Sequence, residues 1–191
     1  MRLEGKVAII VGAGQSPGEG IGNGRATAIR FAQEGAKILA VDRDIDSAKE
    51  TATLATKEGA ECIAFEADVT NEVTLAEAVD FARRRWGRID ILHNNVGVSI
   101  SGGDAPLLEL TEETFDRVNA INLRGTMMAC KHVIPIMREQ RSGAIINISG
   151  STVMGLIAGY LAIKGEASQP WRLFLMTGIL GGYTTDRKSV V

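Results

Sequence analysis

The sequence predicts an α/β fold built on a doubly wound parallel sheet, and three observations carry that expectation. Short, wholly apolar runs alternate with longer stretches of helical periodicity. A glycine-rich turn joins the first apolar run to the first helical stretch. Two helix ends share a local pattern, Glu34-Gly35-Ala36-Lys37 and Glu58-Gly59-Ala60-Glu61. Glycine just past a helix supplies the left-handed C-cap, and the residues after it open a strand, so the echo marks successive strand–helix units. Fully apolar strands need cover on both faces, which a parallel sheet receives from its crossover helices.

The elements follow in order. Residues 7–11 read as a buried strand and 25–33 as a helix ended by Gly35. Residues 37–41 form a second strand, 47–57 a helix ended by Gly59, and 62–65 a third strand leading into Asp68-Val69-Thr70. Residues 72–86 are helical and end at Gly87, and 89–93 form a fourth strand leading into Asn94-Asn95-Val96-Gly97. The segment 99–106, with its Gly and Ser, reads as a loop at that strand's carboxyl end, the edge where open α/β sheets bind ligands. Residues 111–141 form a long helical stretch containing Gly125 and Pro135, and 144–148 a fifth strand.

Composition excludes several classes. A net charge of −2 carries no nucleic-acid footprint. Cys62 and Cys130 belong to no C-x-x-C or Cys/His cluster, so no disulfide framework or metal site is expected; both read as small buried hydrophobes. The first apolar run is too short for a signal peptide and runs straight into glycines, and no stretch has membrane length. A cytoplasmic protein with no membrane partner is the expectation.

The turn at residues 12–24 carries the chemistry. Gly12, Gly14, Gly20, Gly22 and Gly24 let backbone amides approach a pyrophosphate at the positive end of the following helix. The turn is longer than a plain G-x-G-x-x-G. Gly22-Asn23-Gly24 is taken as the pair beside the helix, with Gly20-Ile21-Gly22 the competing register. No G-K-[ST] follows, which argues against a triphosphate-binding loop. Asp42 ends the second strand 18 positions beyond Gly24. An acid there hydrogen-bonds the adenosine ribose and repels a 2′-phosphate, which favours NAD. Arg43 beside it can accept that phosphate, so NADP stays possible, and Asp42 could instead cap the next helix.

From Met1 to about Ser149 the chain resembles the short-chain dehydrogenase/reductase family. The extended glycine turn, Asp42, Asp68-Val69, Asn94-Asn95-Val96-Gly97, Asn122-Leu123-Arg124-Gly125 and Ile145-Ile146-Asn147-Ile148-Ser149 occur in the family's order. Val11 and Val96 stand where the family usually has Thr and Ala. The resemblance implies a Rossmann-like fold in which Asp68 and Val69 hold the adenine. Asn94, Asn95 and Gly97 would shape the cofactor floor, and Asn122 would hold a water in a proton relay, or distort its helix by bonding to backbone, or both.

Tyr160-Leu161-Ala162-Ile163-Lys164 looks like the family's Tyr-x-x-x-Lys. A tyrosine can move the proton if its pKa falls by two to three units, about 3–4 kcal/mol. A lysine four residues on shares its helical face, favours the phenolate and can bind the nicotinamide ribose. Ser149 and Ser151 are the candidates to polarise the substrate oxygen.

After Lys164 the family pattern stops. Followed by a stop codon, Asp186-Arg187-Lys188-Ser189-Val190-Val191 matches one reading frame of a common sequencing-library adapter. Residues 1–164 are therefore expected to be an incomplete dinucleotide-binding and catalytic domain lacking the last strands of the complete fold. Residues 165–191 are expected to be a non-family tail, produced by truncation or a frameshift. The expected activity is NAD(P)-dependent interconversion of a small-molecule alcohol and its carbonyl, with the nicotinamide carrying the hydride. The full-length form would be a homo-oligomer. The alternative is a non-catalytic dinucleotide-binding fragment, inactive through truncation. A Rossmann-like methyltransferase is disfavoured by Asn94-Asn95-Val96-Gly97 and by the Tyr160/Lys164 pair.

Overall fold

In a computed structural model of the chain, residues 1–16, 18, 20–98 and 108–148 are described. The five apolar runs become the strands of one parallel sheet: β1 (Val7–Val11), β2 (Lys37–Asp42), β3 (Cys62–Glu66), β4 (Ile91–Asn94) and β5 (Ala144–Asn147). Their spatial order is β3-β2-β1-β4-β5. The chain winds outward from β1 to β3 and then returns to the other side of β1, so the topological switch lies between β1 and β4. In such sheets the crevice at the strands' carboxyl ends binds ligands at that point.

The helices are α1 (Asn23–Gln33), α2 (Ile45–Lys57), α3 (Glu72–Trp86), α4 (Glu112–Asn119) and α5 (Gly125–Gln140), with a π-helical turn at Ala120–Arg124 between the last two. Alternate strand residues feed two cores, because successive side chains of a strand point to opposite faces. Ile9, Val11, Leu39, Val41, Leu92 and Ile145 pack against α3 and α5. Ile10, Ile38 and Ala40 pack against alanines of α1 and α2, namely Ala28, Ala32 and Ala55. Small side chains there let the helices approach the sheet closely. Helices on both faces of the sheet make the fold doubly wound, as expected.

Several boundaries differ from the sequence reading; α2, for one, starts at Ile45 rather than 47 because Asp44 caps it. Helix α1 starts two residues earlier than expected because Gly22, in extended conformation, is its N-cap. Strand β4 starts at Ile91 rather than 89, because the Ile89 backbone is already satisfied by the Gln140 side chain, which accepts from its amide (2.9 Å) and donates to its carbonyl (2.8 Å). The long helix expected over 111–141 divides at the π-helical turn, while Pro135 sits inside α5 without ending it. Cys130 is buried as expected and Cys62 half-buried; desolvation pushes their thiols up to about 11 and about 12, which leaves them protonated and unreactive.

At the opposite end of the sheet, Asp90 ties β1 to the segment entering β4. Its carboxylate accepts from the Val7 amide (3.0 Å) and takes a bidentate pair from Arg88 (2.7 and 2.6 Å). Burial would raise the Asp90 carboxyl, but Arg88 and the Val7 amide outweigh it and hold it below the ordinary value.

Candidate cofactor-binding site

A cleft of about 450 Å³ opens at the carboxyl ends of the strands, beside the β1–β4 switch. That volume falls within the usual range for small-molecule sites. Its walls come from four loops: the glycine turn after β1, Asp42 to Ser47 after β2, Ala67 to Thr70 after β3, and Asn95 to Val98 after β4. Ile121 of the π-helical turn adds an apolar side.

The glycine turn is held by close backbone approaches. The Gly12 and Ala13 amides both donate to the Val41 carbonyl (2.8 and 3.0 Å), so the chain leaves β1 still pinned to β2. At Gly24, a Cβ would lie 1.9 Å from the Gly12 carbonyl oxygen; only glycine lets α1 pack this close to the end of β1. The Asn95 side chain donates to that same carbonyl (2.9 Å), which ties the β4 loop to the turn. Gly22 and Gly24, rather than Gly20 and Gly22, are thus the pair at the helix start. Gly20 and Ile21 are exposed and do not line the cleft.

Asp42 closes the far wall. One carboxylate oxygen accepts from the Gly14 amide (2.8 Å) and the other from the Asp44 amide (3.1 Å). A Cβ at position 14 would sit 2.7 Å from that first oxygen, so glycine there makes room for the carboxylate. The cap of α2 is Asp44, which accepts from the Asp46 and Ser47 amides, so Asp42 is not spent as a helix cap. Arg43 lines the same wall. At the third loop, the Thr70 amide and hydroxyl donate to Asp68 (2.8 and 2.7 Å), and with Arg43 nearby they hold its carboxyl below the usual range. Val69 beside it packs against Gly125 at the start of α5.

The residues of the fourth loop divide. Asn95 and Gly97 line the cleft. Asn94 is buried, does not line it, and donates to the Asn147 side chain (2.8 Å), holding β4 to β5. Asn122 reaches the same loop from the π-helical turn. Its Oδ1 accepts from the Val98 amide and its Nδ2 donates to the Val98 carbonyl, both at 2.8 Å. Its own carbonyl accepts from the Thr126 hydroxyl (2.9 Å). The backbone-bonding expectation for Asn122 is therefore realised at Val98. Ser149, Ser151, Tyr160 and Lys164 lie outside the described residues.

Two contributors carry no signal in the sequence. Ser47 accepts from the Gln15 amide (2.7 Å) across 32 residues, and Gln15 bonds within the turn itself. A serine early in a helix and a glutamine in a glycine loop have no distinguishing pattern. No group of His, Cys, Asp and Glu with metal-site geometry occurs among the described residues, and no described helix is long and apolar enough to cross a membrane.

The arrangement suits a dinucleotide. A glycine turn backed by a helix N-terminus can take the phosphates, and the Asp42 carboxylate stands where a ribose would follow. Known proteins similar to this chain bear on its identity. The chain is 36% identical over 156 residues to a 3-oxoacyl-[acyl-carrier-protein] reductase of Thermotoga maritima, covering 82% of this chain and 59% of that protein. It superposes on a short-chain dehydrogenase/reductase from Burkholderia xenovorans with a TM-score of 0.73 at 36% identity, covering 95% of this chain and 66% of the other. A metagenomic short-chain oxidoreductase in complex with NADP gives 0.70 at 27% identity, covering 78% and 64%. The chain thus spans about three fifths of the length of the Thermotoga relative. The short chain dehydrogenase family profile matches residues 6–164. Five parallel strands in the order 3-2-1-4-5, the glycine turn and this match over most of the sequence agree: the chain belongs to the short-chain dehydrogenase family.

Proposed function

We propose that the cleft binds NAD and that the protein oxidises a small-molecule alcohol or reduces the matching carbonyl. The observation that carries the reading is the Asp42 carboxylate, held on the cleft wall by the Gly14 and Asp44 amides. A carboxylate in that place accepts from ribose hydroxyls and repels a 2′-phosphate. The turn formed by Gly12, Gly14, Gly20, Ile21, Gly22 and Gly24 would lie against the phosphates at the start of α1. Asp68 and Val69 would hold the adenine, with Arg43 at its edge. Asn95 and Gly97 would form the floor, and Asn94 would support it from beneath.

Bound NAD would supply the hydride acceptor. The protein's own part is orientation and proton transfer. Asn122, through its clamp on Val98, would fix the loop beside the nicotinamide and help to place a relay water. Tyr160 would move the substrate proton, Lys164 would favour its phenolate and bind the nicotinamide ribose, and Ser149 or Ser151 would polarise the substrate oxygen.

Titration with NADH and NADPH, read by nicotinamide fluorescence, tests the cofactor assignment. NADH is expected to bind more tightly than NADPH. Asp42→Ala is expected to weaken NADH roughly 10- to 100-fold, the loss of one or two charge-assisted hydrogen bonds, and to erase the preference. Equal affinities in the unaltered protein would overturn the assignment to NAD. For the reaction, Tyr160→Phe is expected to abolish turnover of secondary alcohols while leaving NADH affinity within twofold. Binding without turnover in the unaltered chain would instead indicate a non-catalytic dinucleotide-binding fragment.

A further inference from the structure

Gln15 occupies the cleft wall inside the glycine turn, half-buried. Its Oε1 accepts from the Gly22 amide at 2.5 Å. Its Nε2 donates to the carbonyls of Ser16 (2.8 Å) and Gly20 (2.9 Å). Its backbone amide is tied to the Ser47 hydroxyl at 2.7 Å. One primary amide thus uses its acceptor and both donor hydrogens on three points of a single turn.

The turn needs such a tie. It is longer than the compact form of a phosphate-binding glycine loop, and its extra length is rich in the residue with most backbone freedom. A Cβ at Gly18 or Gly20 would meet nothing within 4 Å, so those two positions face open space. The Gln15 side chain crosses the base of the arc and joins residue 15 to residues 20 and 22. Gly14 and Gly22 are thereby brought together on the cleft wall as they would be in a shorter turn.

We propose that Gln15 is a positioning residue for the phosphates of the dinucleotide. Its side-chain amide joins Ser16, Gly20 and Gly22 across the base of the turn and holds Gly22 at the N-cap of α1. Without it, the turn must be ordered when the ligand binds, and that ordering costs affinity. The inference rests on the dinucleotide reading of the cleft. It predicts a penalty confined to ligands that carry the pyrophosphate.

The test compares NADH, ADP-ribose and adenosine on the full chain and on Gln15→Ala and Gln15→Met. Methionine matches the length of glutamine without its hydrogen bonds. Both variants are expected to bind NADH and ADP-ribose roughly tenfold more weakly, with adenosine affinity unchanged. Three results would overturn the inference while leaving the dinucleotide reading intact. These are NADH affinity within twofold of the original in both variants, full retention in the methionine variant alone, or equal weakening of adenosine and ADP-ribose. Failure of the unaltered chain to bind NADH or ADP-ribose would remove the dinucleotide reading itself, and this inference with it.

Discussion

His93 sits on β4, opposite Ile10 of β1, with its ring edge against Phe31 and its Nδ1 unpartnered among the described residues. Burial pushes its imidazole down to about 4. Below pH 6.5 the unfolded chain takes up a proton that the native chain refuses, so stability is full above pH 6.5 and falls as pH drops toward 4. The loss over that window is about 3 kcal/mol. Chemical denaturation at pH 7 and pH 4.5 should show it, and His93→Leu should remove most of the difference. The backbone leaves even less latitude at Gly24. Gly24→Ala drives a methyl group into the Gly12 carbonyl, with expected destabilisation of at least about 2 kcal/mol and weakened NADH binding. A melting temperature within a degree of the original would show that α1 and β1 can separate without cost.

Among the elements, the π-helical turn between α4 and α5 has the most direct link to the site. It places Asn122 so that one side chain satisfies both backbone groups of Val98, and π-turns inside helices are often found at functional sites. Asn122→Ala leaves both groups unpaired and is expected to cost about 1–3 kcal/mol. Hydrogen exchange at the Val98 amide should accelerate at least about tenfold; unchanged protection would show that the loop is held by something else. This element also shows where a linear reading runs out. Helical periodicity over 111–141 is real, but one extra residue per turn at Ala120–Arg124 leaves no compositional trace. The start of β4 was hidden for a related reason: Ile89 is apolar and buried, yet its backbone partner is a glutamine 51 residues away. Strands β1, β2 and β3 are legible to within a residue because apolar run and ladder coincide.

For the molecule as a whole, the sheet order and the cleft follow from alternation of strand and helix together with a reversal at β1. Alternation and the glycine turn are visible in the sequence; the reversal is not, and it enters through the resemblance. The cleft residues named from motifs, Gly12, Gly14, Gly22, Asp42, Arg43, Asp68, Val69, Asn95 and Gly97, do meet around one space. Those that motifs could not supply, Gln15 and Ser47, act through hydrogen bonds to backbone, which any polar residue of the right length could make. Asn94 shows the converse: it stands in the motif yet serves the sheet. The central claim is that this cleft takes a nicotinamide dinucleotide. Hydrogen exchange of the full chain with and without saturating NADH tests it most directly. Slowed exchange is predicted at the amides of residues 12–16 and 22–25, at 68–70 and at 95–98, with the outer face of α2 unchanged. No change at those amides under saturating NADH, or protection confined to another surface, would contradict it.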